Sequence, residues 1–327
     1  MQPEIYHGFT VYKKNYGPVW VALHSGPAIR PTTRDDNSDT IANICWEKSG
    51  GTMILSNMPR DVVMGVDFNR ELPNAEIALE YYQKLVGSSH GDEKRKYKSR
   101  YAFVAATKKA YHEKAKIYNS LWSCVRSSGD FIVFLHRQLP RMRSYPSAID
   151  FITFNDIGIK REVMKKIVDD INSENRMLFR NMEKNFKNIT YIEQMKKVNI
   201  FGIKSRYVMD DIKIIGRYCD TKIMEKAISD FNEHNFLAAC SSALKNMPPP
   251  EITMERVFSA EKAIGPKKEI IKNMNKIAIE VEVNEFMSGW HPKETSKIIM
   301  DMVDKIRKVD ECKKMGFNQK QILEFIS

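Results

Sequence analysis

The stretch VWVALHSGPAIRP, residues 19–31, decides how the rest of the chain is read. Five apolar residues, Val19 to Leu23, stop at His24, and Ser25, Gly26 and Pro27 turn the chain at once. An apolar run of this length matches a strand buried on both faces, as in parallel sheets covered by helices. A second run, DFIVFLH (130–136), also ends on a histidine, His136. In an open α/β sheet, parallel strands deliver their last residues to one edge, where ligands bind. Two imidazoles at that edge would be the start of a metal site. One alone reads more simply as a polar residue capping a strand.

Outward from these strands, strand-like and helix-like segments alternate through the first 160 residues. PVWVALH (18–24) predicts a buried strand and TMILS (52–56) another, with a further strand inside RDVVMGVDFNR (60–70). DTIANICWEKSGG (39–51) predicts a helix, with Ile41, Ile44 and Cys45 on one face and Gly50-Gly51 at its end. Pro73-Asn74 open a helix, AEIALEYYQKLV, and a long helix is expected from Ala102 to Ser127. IDFITF (149–154) reads as a buried strand. This order predicts a three-layer αβα architecture around a mixed, mostly parallel sheet.

Residues 160–260 read as a mainly helical insertion or cap within one domain spanning 1–327. REVMKKIVDDINSENRMLFRNMEKNF predicts one charged amphipathic helix, and SRYVMDDIKIIGRY predicts one or two strands. DTKIMEKAISDFNEHNFLAACSSALKNM predicts helices, stopped by Pro248-Pro249-Pro250. The return strand KIAIEVEVNEFM (276–287) alternates, and two more helices follow it.

The composition, 43% hydrophobic and 28% charged, belongs to a soluble globular protein. No apolar run approaches the ~20 residues that span a bilayer. MQPEIYHGFT has no basic segment followed by an apolar core, so no secretory signal is expected. Five cysteines, Cys45, Cys124, Cys219, Cys240 and Cys312, are odd in number and widely spaced. That argues against a disulfide framework and a cysteine zinc site, and predicts a cytoplasmic protein. The net charge of +11 and the run HGDEKRKYKSR (90–100) raise a nucleic-acid-associated protein as an alternative. A solvated loop is the plainer reading of that run, and no nucleic-acid-binding signature accompanies it.

Three further stretches carry chemistry. RDDNSD (34–39) supplies Asp35, Asp36 and Asp39 as a possible third metal ligand, one of them expected as a helix N-cap. In GVDFNRELP (65–73), Val66 and Phe68 face the core while Asp67 and Asn69 face away, with Arg70 at the end. An arginine there offers a planar fork for a carboxylate. KIAIEVEVNEF places Glu280, Glu282 and Asn284 on one face and Ile277, Ile279, Val281 and Val283 on the other. The acidic face is either a solvent-facing edge or a general base beside metal-activated water. Arg137, Arg141 and Arg143 follow His136 and either add positive charge to the site or form a solvated basic loop.

The order of these pieces resembles the N-formylglutamate amidohydrolase family, related in fold to the zinc carboxypeptidases. LHSG looks like the family's His-Ser-Gly, and GGTMILSNMPRDVVMGVDFNRELP like its element ending in Asp-Leu-Asn-Arg-Pro. AYHEKAKIYNSLW resembles the helix before its second metal histidine. IDFITFNDIG is similar to its Asp-Ile-Val-Leu-Gly-Asp-x-x-Gly, and IAIEVEVNEFM to its Leu-Glu-Ile-Asn-Arg strand. The resemblance covers residues 18–160 and 275–310. It implies a phosphorylase/hydrolase-like fold and zinc-dependent hydrolysis of the amide of a small N-acyl amino acid or peptide-like carboxylate. It implies His24 and His136 as zinc ligands, with Asp36 as the third and Asp39 as its alternative. It implies that Asn69 and Arg70 bind the substrate carboxylate and that Glu282 is the general base; Arg137, outside the resemblance, is expected to bind substrate through its charge. Arg137-Gln138-Leu139 stands where the family has a serine and a polar loop, and Asn284-Glu285 replaces its late Asn-Arg. No counterpart of its Gly-Gly-Tyr segment is present. These departures point away from N-formylglutamate itself, and leave a binding or regulatory protein on a degenerate hydrolase fold as the alternative.

Overall fold

A computed structural model of the chain describes residues 2–29, 34–87, 97–138, 142–257, 267–272, 276–316 and 318–325. The strands are β1 (Glu4–Tyr6), β2 (Phe9–Lys13), β3 (Val19–Ala22), β4 (Thr52–Ser56), β5 (Phe131–Arg137), β6 (Ser147–Ile152), β7 (Glu251–Met254) and β8 (Ile277–Val283). They form one sheet in the order β1-β2-β4-β3-β5-β8-β6-β7. The central strands β4, β3, β5 and β8 are mutually parallel. β2 joins β4 antiparallel, β6 joins β8 antiparallel, and β7 lies parallel to β6.

Helices cover both faces, so the three-layer αβα arrangement expected from the sequence is the one observed. On the first face, α1 (Ser38–Ser49) and α11 (Pro292–Lys314) contribute Ile41, Cys45, Ile299 and Met302. These join Trp20, Val133, Ile279 and Val281 from the strands in one apolar cluster. On the second face, α3 (Lys108–Ser127) packs Leu121, Trp122 and Val125 against Val21, Ile132, Phe134 and Ala278. Each fully buried Val, Leu, Ile or Phe side chain contributes about 1.5–3 kcal/mol, so the doubly covered strands β3, β5 and β8 anchor the fold.

Register builds the polar edge. His136 stands opposite Glu282, and Glu282 stands opposite Asp150, on three adjacent strands. Directly paired residues share a face. One layer deeper, Phe134 and Ile152 flank Glu280. β6 runs opposite to the parallel strands, so its beginning, rather than its end, meets the edge where β3, β5 and β8 finish.

Several elements differ from the sequence reading. Residues 60–70 form turns instead of a strand. The Asp61 carboxylate accepts the backbone N–H groups of Val63 and Met64 at 2.9 and 3.0 Å, and the Asp67 carboxylate accepts that of Asn69 at 3.0 Å. Short acidic side chains that hydrogen-bond their own backbone compete with a strand ladder. The expected helix from Ala102 begins only at Lys108, capped by Thr107. Residues 102–105 are non-helical: Ala102 donates to Glu71 and accepts from Asp67, Val104 donates to Val62, and Ala105 donates to Ala78. The acidic strand is interior, between β5 and β6, and no solvent-facing edge.

Between β6 and β7 the chain is helical: α4 (Arg161–Glu174), α5 (Arg176–Phe201), α6 (Arg206–Tyr218), α7 (Thr221–Ser229) and α8 (Glu233–Asn246). The expected single helix from residue 161 is broken at Asn175. SRYVMDDIKIIGRY is helix α6 rather than strands. Its Val208, Ile212 and Ile215 recur at i, i+4 and i+7, a helical stripe that outweighs the β-branched content. Phe179, Phe186, Val208, Ile215 and Phe236 belong to the same apolar cluster as the sheet. No helix among the described residues is long and apolar enough to cross a membrane.

Glu193 on α5 is buried, and burial together with Glu285 pushes its carboxyl up to about 8. The folded protein then holds a proton that the unfolded chain releases above its ordinary value of 4.5. Stability therefore falls as pH rises from about 4.5 to about 8. Glu193→Gln removes that slope, so the variant gains stability over wild type between pH 5 and pH 8, read from urea midpoints across ~3 pH units.

Candidate metal centre

His24 follows β3 by two residues, and its position is fixed by the turn after it. Ser25 Oγ–H donates to the Ala22 and Ser56 carbonyls, at 2.9 Å in each case. Gly26 lies against the chain leaving β4, where a Cβ would stand 2.0 Å from the Met58 carbonyl oxygen. Only glycine permits that approach, and it folds the loop back over the strand edge. The loop returns to Asp35, whose N–H donates to the His24 carbonyl at 3.0 Å. Asn37 then takes a left-handed backbone, φ 66°, and α1 begins.

Three buried side chains meet there. Asp35 Oδ2 lies 3.1 Å from His24 Nδ1 and 2.9 Å from His136 Nδ1. The imidazole centroids are 4.9 Å apart. His24, Asp35 and His136 offer ligand atoms within 4.8 Å of one another. Donors about 2.0–2.2 Å from one tetrahedral ion stand roughly 3.3 Å apart, close to these separations.

A second contact sharpens the case. His24 Nε2 lies 3.0 Å from Asp67 Oδ1, so both ring nitrogens face carboxylate oxygens. A neutral imidazole has one N–H and cannot donate to both. A positive charge is needed beside Nδ1, either a second proton or a metal ion. The Asp67 contact is of the kind that, in metal sites, orients a ligating histidine from its far side. Two imidazoles and one carboxylate form the donor set of three-ligand hydrolytic zinc sites, which keep a fourth position open. The residues present therefore fit zinc.

The surrounding charges are balanced by arginine. Arg60 Nη1 lies 3.5 Å from Asp35 Oδ1, and Arg60 Nε lies 3.4 Å from Asp67 Oδ2. Burial opposes charge on Asp35, but His24, His136 and Arg60 hold its carboxyl well below the usual carboxylate range. Burial likewise opposes charge on Asp67, and Arg60, His24 and Arg70 lower it further than burial raises it. Burial lowers His136, favouring the neutral imidazole that binds metal. Glu282 goes the other way: burial, Glu280 and Asp35 raise its carboxyl well above the usual range. Asp150 is pushed up to about 6 by burial, despite hydrogen bonds from Thr253, Arg256 and Val257. Beneath Glu282, Glu280 is paired with the fully buried Lys267.

The carboxylate brought to the histidines is thus Asp35, and neither Asp36 nor Asp39. Asp36 is half exposed and lies 3.1 Å from Arg137, while Asp39 bonds Arg34 at 2.9 Å. None of the three aspartates is the N-cap, which is Asn37. Asn69 and Arg70 stand beside Asp67, with Asn69 Oδ1 and Arg70 Nε buried and without hydrogen-bond partners. Arg137 is taken up by Asp36 and by Glu285 at 3.5 Å, which leaves little of it for a substrate. Arg141 and most of the basic run at 90–100 lie outside the described residues. Arg60 and Asp67 were missed as site residues by sequence reasoning. Both sit in turns, and no spacing marks them. The only hint was an aspartate two residues before Asn69.

No family model matches the chain, and neither a curated protein nor a solved structure matches it. His136 Nε2 and Glu282 Oε2 join Asn69 Oδ1 and Arg70 Nε among the buried side-chain atoms without a hydrogen-bond partner, although Arg70 Nε is ion-paired with Asp67 at 3.7 Å. Unpaired buried polar atoms are costly and sparse in folded proteins.

The purified protein is expected to bind one zinc per chain, with His24→Ala, Asp35→Ala and His136→Ala each abolishing stoichiometric metal by elemental analysis. Asp36→Ala and Asp39→Ala keep it. Asp67→Asn weakens zinc affinity roughly 10–100-fold in competition with a chelating dye. Gly26→Ala lowers both metal content and melting temperature, because its methyl group must displace the Met58 backbone.

Proposed function

We propose that the chain is a zinc-dependent amidohydrolase acting on a small amide that carries a carboxylate. The observation that carries this reading is the buried His24–Asp35–His136 constellation with Glu282 beside it in register. Zinc bound there would supply a Lewis acid and a water with a pKa of about 7.

The remaining roles follow from this chain's own side chains. Glu282 holds the moving proton: burial, Glu280 and Asp35 raise its affinity for one, and it passes that proton to the leaving amine. Asp67 fixes the ring of His24, and Arg60 keeps Asp35 and Asp67 ionised in a buried setting. Arg70 binds the substrate carboxylate with its guanidinium N–H donors, and Asn69 adds its side-chain NH2 donor. Arg137 braces Asp36 and Glu285 at the rim. The order of sequence motifs resembling N-formylglutamate amidohydrolases supports the same reaction class. Five unpaired cysteines fit a reducing compartment, and we read the protein as cytoplasmic.

Glu282→Gln should retain zinc and lose roughly 10²–10⁴-fold in kcat on any N-acyl amino acid the wild type hydrolyses. Unchanged turnover removes Glu282 from this role. Arg70→Ala should raise KM with kcat little altered, the pattern of lost uniform binding. A wild type without zinc overturns the whole reading.

A further inference from the structure

At several exposed helix positions this chain sets an acid four residues from a base. Glu80 pairs with Lys84, Arg206 with Asp210, and Asp310 with Lys314. The start of α5 does the opposite. Arg176, Arg180 and Lys184 follow one another at four-residue steps, all exposed, and none has an ion-pair partner among the described residues. Like charges at this spacing face each other and destabilise the helix. Lys187 and Tyr191 continue the row at steps of three and four residues. At 3.6 residues per turn, all five side chains share one face of α5.

That face lines a groove. Arg176 and Arg180 border a depression of about 370 Å³ together with Phe179, Pro248, Pro249 and Pro250. Lys184, Lys187, Asn188 and Tyr191 border a second, of about 480 Å³, with Leu244 and Lys245 from the end of α8. The far wall is held by hydrogen bonds. Lys187 Nζ donates to the Met247 carbonyl at 2.8 Å, and the Tyr145 hydroxyl to the Pro248 carbonyl at 2.7 Å. The Ile252 N–H donates to Asn172 Oδ1 at 3.1 Å. Three successive prolines stiffen this wall further.

Charge along the groove is unbalanced. Five cations, Arg176, Arg180, Lys184, Lys187 and Lys245, stand against two acids. Glu183 is taken by Lys187 at 2.6 Å, and Glu251 is exposed beside the prolines. From Arg176 to Lys187 the helix rises roughly 16 Å, too far for one phosphate or carboxylate to reach every cation. A linear polyanion matches that length. A bilayer is flat and cannot enter between two walls. A nucleic-acid strand can lay its phosphates along the cations, where the arginines offer planar forks, and stack a base on Tyr191. We infer that the groove between α5, the end of α8 and the three prolines binds the backbone of single-stranded nucleic acid. The inference stands on observations separate from the metal centre, and holds whether or not that centre cleaves an amide.

The test is fluorescence anisotropy of the full chain with a labelled oligothymidylate of about 20 nucleotides, titrated across roughly 50–200 mM salt. Contacts to about four phosphates predict a slope of log affinity against log salt near −3, a loss of roughly 50-fold over that range. Arg176→Gln/Arg180→Gln/Lys184→Gln should weaken low-salt binding by ~10-fold or more and bring the slope to about −1. The control removes the same charge from the other side of the sheet. Lys108→Gln/Lys109→Gln/Lys116→Gln, on α3, should bind as the wild type does. All six side chains are exposed, so neither variant disturbs the core. No binding at low salt overturns the groove, and so does binding without salt dependence. Equal losses in the two variants are the response of net charge alone and overturn it too. A duplex of the same length and phosphatidylserine vesicles are the rival polyanions, and a preference for either over the strand overturns the assignment.

Discussion

One carboxylate oxygen, Asp35 Oδ2, is shared by two imidazole nitrogens in a buried setting. The rest of the edge is arranged around that contact. A buried carboxylate is tolerable only when opposite charge and hydrogen-bond donors surround it. Here the histidines come from the ends of β3 and β5, the arginine comes from the turns after β4, and the backbone of the returning loop is pinned by His24. The parallel strands supply the precision. Two side chains at strand ends in one packed sheet cannot drift apart without disturbing the core beneath them.

The layers under the site serve a second purpose. β8 carries two carboxylates, Glu280 and Glu282, on the face that otherwise holds Phe134 and Ala278. Left alone, two acids spaced by two residues would compete for protons. Lys267 neutralises the deeper one, with its ammonium 5.2 Å from the Phe134 ring centre. The upper acid, Glu282, keeps its raised proton affinity and an unpaired oxygen. The two acids of one alternating strand therefore sit in different electrostatic settings, made by their surroundings rather than by their type.

The helices between β6 and β7 bury polar side chains as well as apolar ones. Their apolar residues continue the core of the sheet, and their polar residues gather near the loop that leaves β5. Positioning groups on long helices packed into the core is more exact than leaving them on a surface loop.

Much of the architecture was legible in the sequence. Apolar runs that stop on His24 and His136 announced buried parallel strands, and their shared edge followed from the topology of such sheets. The alternation in KIAIEVEVNEF correctly separated Glu280 and Glu282 from Ile279 and Val281. Period and composition gave no access to decisions made by individual backbone turns. Asp35, Asp36 and Asp39 look alike in RDDNSD; a left-handed Asn37 and a bond to His24 turn Asp35 inward, and Arg34 and Arg137 hold the others outside. Residues 60–70 read as a strand because Val62, Val66 and Phe68 are apolar, yet Asp61 and Asp67 bend the chain with their own side chains. The sequence by itself determined the sheet, its buried strands and the histidines at their ends, because hydrophobic periodicity is a local property. Only the tertiary structure decided which acid joins those histidines and which arginine balances it, because those partners meet across loops whose paths depend on single hydrogen bonds.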